Sequence, residues 1–208
     1  MGQATAPRWF GLCLAAGGVL LALFFVLHPG SGDPAAPSVI KGSAYAAEHT
    51  LGVAAMVAII FGLFGVGAAL GASRLAAVGF VLATVGSILL AGVIYTDAYA
   101  CPVIAANEPT LLRSGGPFTS GTFVISEAVP GIVWGVGLVL LGVAGLRSHR
   151  LSRPAWIILI VGAVAITLPP QPTGFAPLVA IQAGAVVLAL GLFWAGWELW
   201  RGAMPALP

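Results

Sequence analysis

The side chains best suited to chemistry are two histidines that flank the first polar stretch of the chain. This stretch covers residues 28–50, with His28 at its start and His49 near its end. Imidazole nitrogens ligate haem iron and transition-metal ions such as copper and zinc. His28 and His49 are therefore candidate metal ligands. The alternative for His28 is a polar residue that ends a helix, because Pro29 disfavours helical backbone before it.

Four further polar residues are candidates for binding a cofactor with the histidines. Asp97 and Glu127 could ligate a metal or hydrogen-bond to its ligands, and Tyr95 and Gln182 lie at the same predicted depth. Ionisable residues within membrane spans usually face the bundle interior or water. The alternatives are that Asp97 is a solvated helix end and that Glu127 lies near the lipid headgroups.

Glu48 is expected to lie apart from this group, although it is next to His49. Adjacent helical residues point about 100° apart. His49 shares a helix face with Gly52, which favours the bundle interior. We therefore expect Glu48 to face the loop or the headgroups.

The elements that must position these residues are membrane helices. The chain is 60% hydrophobic and only 7% charged, whereas soluble domains are about 25% charged. No polar block is long enough for a soluble domain, so residues 1–208 are predicted to form a single integral membrane domain in contact with the lipid bilayer. A net charge of +2 does not indicate nucleic-acid binding.

The hydrophobic pattern predicts an all-α fold, a bundle of six transmembrane helices. A span needs about 20 apolar residues. The runs lie at roughly 9–27, 46–72, 75–97, 122–146, 155–169 and 177–200. Residues 62–86 also resemble residues 137–162, so spans 2–3 and 4–5 could be repeated hairpins.

The arginines predict how these spans are oriented. With six spans, one side receives six arginines and the other receives only Lys41 and Arg113. Because Lys and Arg accumulate on the cytoplasmic side, both termini are expected to be cytoplasmic. The outer loops 28–45, 98–121 and 170–176 look irregular, and any site is expected to open outward.

Small residues predict the faces on which the helices pack. Gly79, Ala83, Ser87 and Ala91 recur every fourth residue in the third span, as expected for close helix contact. In the fourth span Gly131 and Gly135 share such a stripe, and Glu127 lies one step earlier on it. This position favours an inward Glu127.

Two functional hypotheses follow. The first is a non-enzymatic membrane protein, either a subunit that packs against other membrane subunits or a small-ligand-binding module with an outward-facing polar cluster. The second is a haem- or metal-binding redox protein that uses His28 and His49. Loss of a chromophore or metal in His49→Ala would distinguish the second from the first.

The second half of the chain carries a resemblance to other proteins. The segments 137–147, 151–156, 161–170 and 195–201, together with the His-Pro pair at 28–29 and the histidine at 49, resemble a type of multi-pass membrane protein from high-GC bacteria. No activity is established for that type. The resemblance implies six spans in a bacterial plasma membrane and implies no chemistry.

Overall fold

A computed structural model describes residues 8–28, 37–71, 73–112, 116–117, 121–167 and 175–202. Within these ranges the chain forms helices and connecting turns, and no strand occurs. The helices are α1 (Arg8–Leu27), α2 (Pro37–Ile40), α3 (Ser43–Leu70), α4 (Arg74–Tyr99), α5 (Cys101–Asn107), a 3-10 turn (Pro109–Leu112), α6 (Thr122–Ser148), α7 (Arg153–Thr167) and α8 (Phe175–Arg201).

The long helices confirm the predicted all-α membrane class. Five helical segments in the described part are long and apolar enough to cross a membrane, and they include α1, α3, α4, α6 and α8. The sixth apolar helix, α7, has only 15 residues. At 1.5 Å per residue its length is about 22 Å, which is shorter than a hydrocarbon core of about 30 Å.

The predicted irregular outer loops contain more helix than expected. In the 98–121 segment, α4 continues to Tyr99 and α5 follows directly. Pro102 lies in the first turn of α5, where a missing N–H costs no helical hydrogen bond. In the 28–45 segment, α2 precedes Gly42, the N-cap of α3. Proline and glycine here begin helices instead of excluding them.

The five long helices and α7 pack in a closed ring in chain order. Each of these six helices packs against the one before it and the one after it, and α8 closes the ring against α1. Leucine side chains fill the core, with Leu14, Leu63, Leu138, Leu188 and Leu192 almost fully buried.

Close glycine contacts show that neighbouring long helices run antiparallel. Near one end of the bundle Gly11 of α1 meets Trp200 of α8, and further along Gly18 meets Ala189. The predicted α4 stripe is buried at Gly79, Ala83 and Ser87. The predicted α6 stripe makes close contact only in part. A Cβ on Gly135 would meet Thr167, but one on Gly131 would meet nothing within 4 Å.

The antiparallel ring separates two ends of different chemistry. Consecutive helices place the six arginines together at what we call the arginine end: Arg8, Arg74, Arg147, Arg150, Arg153 and Arg201. The opposite end, which we call the histidine end, holds the C-terminus of α1 and the N-terminus of α3.

The two hairpins of the predicted repeat differ in length. Helices α3 and α4 have 28 and 26 residues, whereas α6 and α7 have 27 and 15. Each hairpin turns at the arginine end, and in the second His149 ends α6 in a left-handed conformation with φ 54°. The repeat stays a prediction.

Candidate metal centre

The histidine end brings His28, Glu48 and His49 into one cluster, which we call the His–Glu–His cluster. His28 follows the last residue of α1, and Glu48 and His49 lie in the second turn of α3. One ligand atom from each residue lies within 4.8 Å of the others. Because α1 and α3 pack against each other, His28 meets the adjacent pair Glu48 and His49, although it is distant from them in sequence.

A single carboxylate oxygen accepts hydrogen bonds from both imidazoles. Oε1 of Glu48 lies 3.0 Å from Nδ1 of His28 and 2.7 Å from Nδ1 of His49. The backbone oxygen of Tyr45 lies 2.9 Å from the same nitrogen of His49. Since both neighbours of this nitrogen are acceptors, Nδ1 of His49 carries a proton without a metal, and an ion held together with Glu48 would take the place of that proton.

The prediction that Glu48 faces the loop or headgroups is wrong. Glu48 is 4% exposed and His49 is 3% exposed, so both are buried. The 100° separation of neighbouring helical residues holds at the backbone, but the glutamate side chain has three rotatable bonds. Its carboxylate therefore reaches back to the imidazole of the adjacent residue.

Aromatic rings enclose the cluster. Phe24 meets the His49 ring edge-on at 5.4 Å between centroids, and the His28 ring at 5.9 Å. The ring of Tyr45 lies 4.0 Å from that of His49. An apolar wall around a polar cluster lowers the local dielectric constant and strengthens its electrostatic interactions.

A small apolar cap adjoins the cluster at the histidine end. Ile40, Tyr45, Cys101, Ala105 and Leu112 form a second hydrophobic cluster, separate from the main core. They come from α2, α3, α5 and the 3-10 turn. Tyr45 belongs to this cap and also packs on His49, so it links the cap to the site.

One ligand atom of the cluster has no partner of its own. Oε2 of Glu48 is buried and accepts no hydrogen bond from the described residues. In the same part of the chain, both ion pairs of Glu48 are with histidines, and none involves Lys or Arg. An uncompensated buried oxygen is costly, and a bound cation would satisfy it.

The arrangement suits an ion better than a haem. Two imidazoles and a carboxylate are ligands used by zinc and by non-haem iron. The imidazole centroids are 5.3 Å apart, and Nδ1 of each ring contacts the same oxygen of Glu48. A haem plane would need the space between them, so the residues present fit a metal ion and not a bis-histidine haem.

No protein-family model, curated protein or solved structure matches this chain. The site is therefore argued from its own geometry. Sequence reasoning missed Glu48, Tyr45 and Phe24 as members of it. The spacing of Tyr45, Glu48 and His49 (i, i+3, i+4) was an available signal, because it places all three near one side of a helix.

Asp97 lies beside the cluster without joining it. Its carboxylate accepts a hydrogen bond from Cys101 Sγ at 3.5 Å, and it interacts electrostatically with His49 and His28. It also lines a groove of about 280 Å³ between α4 and α6, together with Thr96, Ser126, Pro130 and others. Asp97 is therefore placed to influence the cluster's charge, not to ligate the same ion.

Two other predicted site residues have different outcomes. Tyr95 is 57% exposed and stacks on Tyr99 with ring centroids 4.8 Å apart, so the structure does not bring it to the cluster. Glu127 belongs to α6, but its side chain lies outside the described residues.

Gln182 stabilises the end of α1 that carries His28. Its Nε2 donates to the backbone oxygen of Phe25 at 2.9 Å. The helical donor for that oxygen would be the N–H of residue 29, which is a proline and has none. Gln182 therefore supports the site from α8 and touches none of its ligand atoms in the described contacts.

We expect Gln182→Met to lower the free energy of unfolding by about 1–3 kcal/mol, because it leaves a carbonyl without a donor. Chemical unfolding in detergent would measure the change. A free energy of unfolding equal to that of the wild type would contradict this role of Gln182.

Proposed function

We propose that this chain is a six-span membrane protein that binds a divalent transition-metal ion through His28, Glu48 and His49. The observation that carries the proposal is the convergence of three ligand groups, of which Glu48 and His49 are buried, with the second oxygen of Glu48 left without a partner among the described residues. The proposal combines two hypotheses drawn from the sequence, the small-ligand-binding module and the metal-binding protein. A role as a subunit of a larger complex stays a prediction.

The donor set supports zinc or iron(II) as the ion. Catalytic zinc sites commonly have three protein ligands and keep one position for water or substrate. Two histidines and one carboxylate with open positions are also typical of non-haem iron(II). With three protein ligands, the proposed centre would have room for an exogenous ligand.

The proposed topology has the arginine end in the cytoplasm and the metal centre near the outer surface. Six arginines at one end support this orientation, because the cytoplasmic side is enriched in Lys and Arg. For α7 to span, the bilayer must thin locally around it, which is a known response to a short span.

The test is a metal titration of the full chain, purified in mild detergent and stripped with a chelator. We expect one Zn²⁺ or Co²⁺ per chain, with Co²⁺ reporting its coordination by visible absorption. His28→Ala and His49→Ala should each abolish stoichiometric binding, because each removes one of three ligands.

The matched control is His149→Asn. His149 is the third histidine of the chain, it lies at the arginine end, and asparagine tolerates its left-handed backbone. Binding should be unchanged in this variant. No metal uptake by the wild type, or an equal loss in the control, would refute the metal centre, and a co-purifying chain would then favour the subunit role.

A further inference from the structure

A second polar feature lies at the arginine end, and the metal centre does not account for it. Arg8, Trp197, Trp200 and Arg201 line a groove of about 360 Å³ where the start of α1 meets the end of α8. Two cations and two indoles therefore share one recess at the edge of the bundle. Among the residues that the structure describes, no acidic side chain lines it.

The guanidinium of Arg201 is held in place by an aromatic ring. It lies over the Trp197 ring at 4.7 Å from the centroid, a distance typical of cation–π contact. Trp197 packs on Trp200 with centroids 4.7 Å apart. Stacking leaves the N–H edges of a guanidinium available, and these are the groups that bind phosphate oxygens in pairs.

The guanidinium of Arg8 lies against the end of α8. A Cβ placed on Gly202 would be 3.7 Å from Nη2 of Arg8 and 3.9 Å from Nε. Both arginines thus sit at the same helix terminus, although they are distant in sequence. Two cations that line one groove repel each other, and an anion between them would relieve that repulsion.

The nearest acidic side chain in the sequence is occupied elsewhere. Oε2 of Glu198 accepts from the backbone N–H of Ser152 at 2.8 Å, and Oε1 accepts from Nε1 of Trp194 at 2.7 Å. Neither Arg8 nor Arg201 forms an ion pair with a carboxylate among the described residues. The groove therefore has two positive charges, and the described residues supply no counter-ion to it.

We propose that this groove binds the phosphate headgroup of an anionic phospholipid, such as phosphatidylglycerol. Tryptophan is enriched at the membrane–water interface, where headgroups lie. Basic recesses between membrane helices bind anionic headgroups. The lipid would join α1 to α8 at the point where the ring of helices closes.

The experiment reconstitutes the full chain in bilayers of equal parts phosphatidylcholine and phosphatidylglycerol and counts retained lipids by native mass spectrometry. We expect the wild type to retain phosphatidylglycerol in preference to phosphatidylcholine. The double variant Arg8→Gln/Arg201→Gln should lose about tenfold or more of that preference, because it removes two charge-assisted phosphate contacts.

The control variant is Arg74→Gln/Arg147→Gln. It removes two exposed arginines from the same end of the bundle that do not line the groove. It should keep most of the preference, and an equal loss would show that only the overall positive field attracts the lipid. If the double variant fails to fold, Arg201→Lys serves instead and should give a partial loss, because it keeps the charge but not the paired donors.

Two further results would overturn the proposal. An absence of lipid preference in the wild type would leave the arginines as caps of the negative end of α8. Displacement of the lipid by millimolar inorganic phosphate would mean that the groove is a free-phosphate site. Zn²⁺ binding should be unaffected in all these variants, so the outcome is independent of the proposed metal function.

Discussion

Glu48→Gln should weaken metal binding at least about a hundredfold while leaving the fold intact. Changes to groups that only support a ligand cost about 10–100-fold in affinity, and Glu48 is itself a proposed ligand. The substitution removes the only negative charge of the cluster. The amide oxygen can still accept from the imidazoles that lie 3.0 and 2.7 Å from Oε1 in the wild type. Glu48→Gln should therefore fold as the wild type does and still bind the metal more weakly.

Zinc competition against a fluorescent chelator would measure this affinity, with a thermal melt to verify the fold. Glu198→Gln is the matched control, since Glu198 is a partly buried acceptor of two hydrogen bonds at the opposite end. The zinc affinity of Glu198→Gln should equal that of the wild type. Retention of zinc by Glu48→Gln would mean that the cluster is a structural hydrogen-bond network.

Gly86→Ala should destabilise the bundle by about 1–3 kcal/mol, the usual cost of adding atoms to a packed core. A Cβ on Gly86 would lie 2.5 Å from the backbone nitrogen and Cα of Trp134. Backbone atoms cannot rotate away as a side chain can. The helices α4 and α6 would therefore have to separate at this contact.

Gly92→Ala, six residues along the same helix, should instead raise the free energy of unfolding of the bundle. A Cβ there meets nothing within 4 Å, and alanine favours a helix interior by about 0.5–1 kcal/mol over glycine. Unfolding of both variants in the same detergent would compare them. Equal changes in stability would show that the contact between α4 and α6 at Gly86 is not what distinguishes the two positions.

The structure brings together two of the residues that the sequence assigned to the site and adds Glu48 to them. His28 and His49 both reach the cluster, as their positions at the ends of one polar stretch suggested. Glu48 was assigned to the surface, because helix geometry separates neighbouring positions but does not limit the reach of a long side chain. Tyr95 was placed with the site by depth alone, and depth does not specify which side of a helix faces inward.

Composition and length by themselves determined that this is an all-helical membrane protein, because lipid offers no hydrogen-bond partners and only long apolar helices satisfy their own backbone. They also determined where the helices lie to within a few residues, and they indicated that the polar groups gather at one end.

Only the tertiary structure decided which helices are neighbours. The helices are apolar on every side, so hydrophobic periodicity does not distinguish a buried face from a lipid-facing one. The closure of α8 on α1, and with it the arginine groove and the contact of Gln182 with Phe25, depends on packing between residues more than 150 positions apart. The His–Glu–His cluster likewise exists because α1 and α3 pack side by side, and this brings the end of one helix to the start of the other.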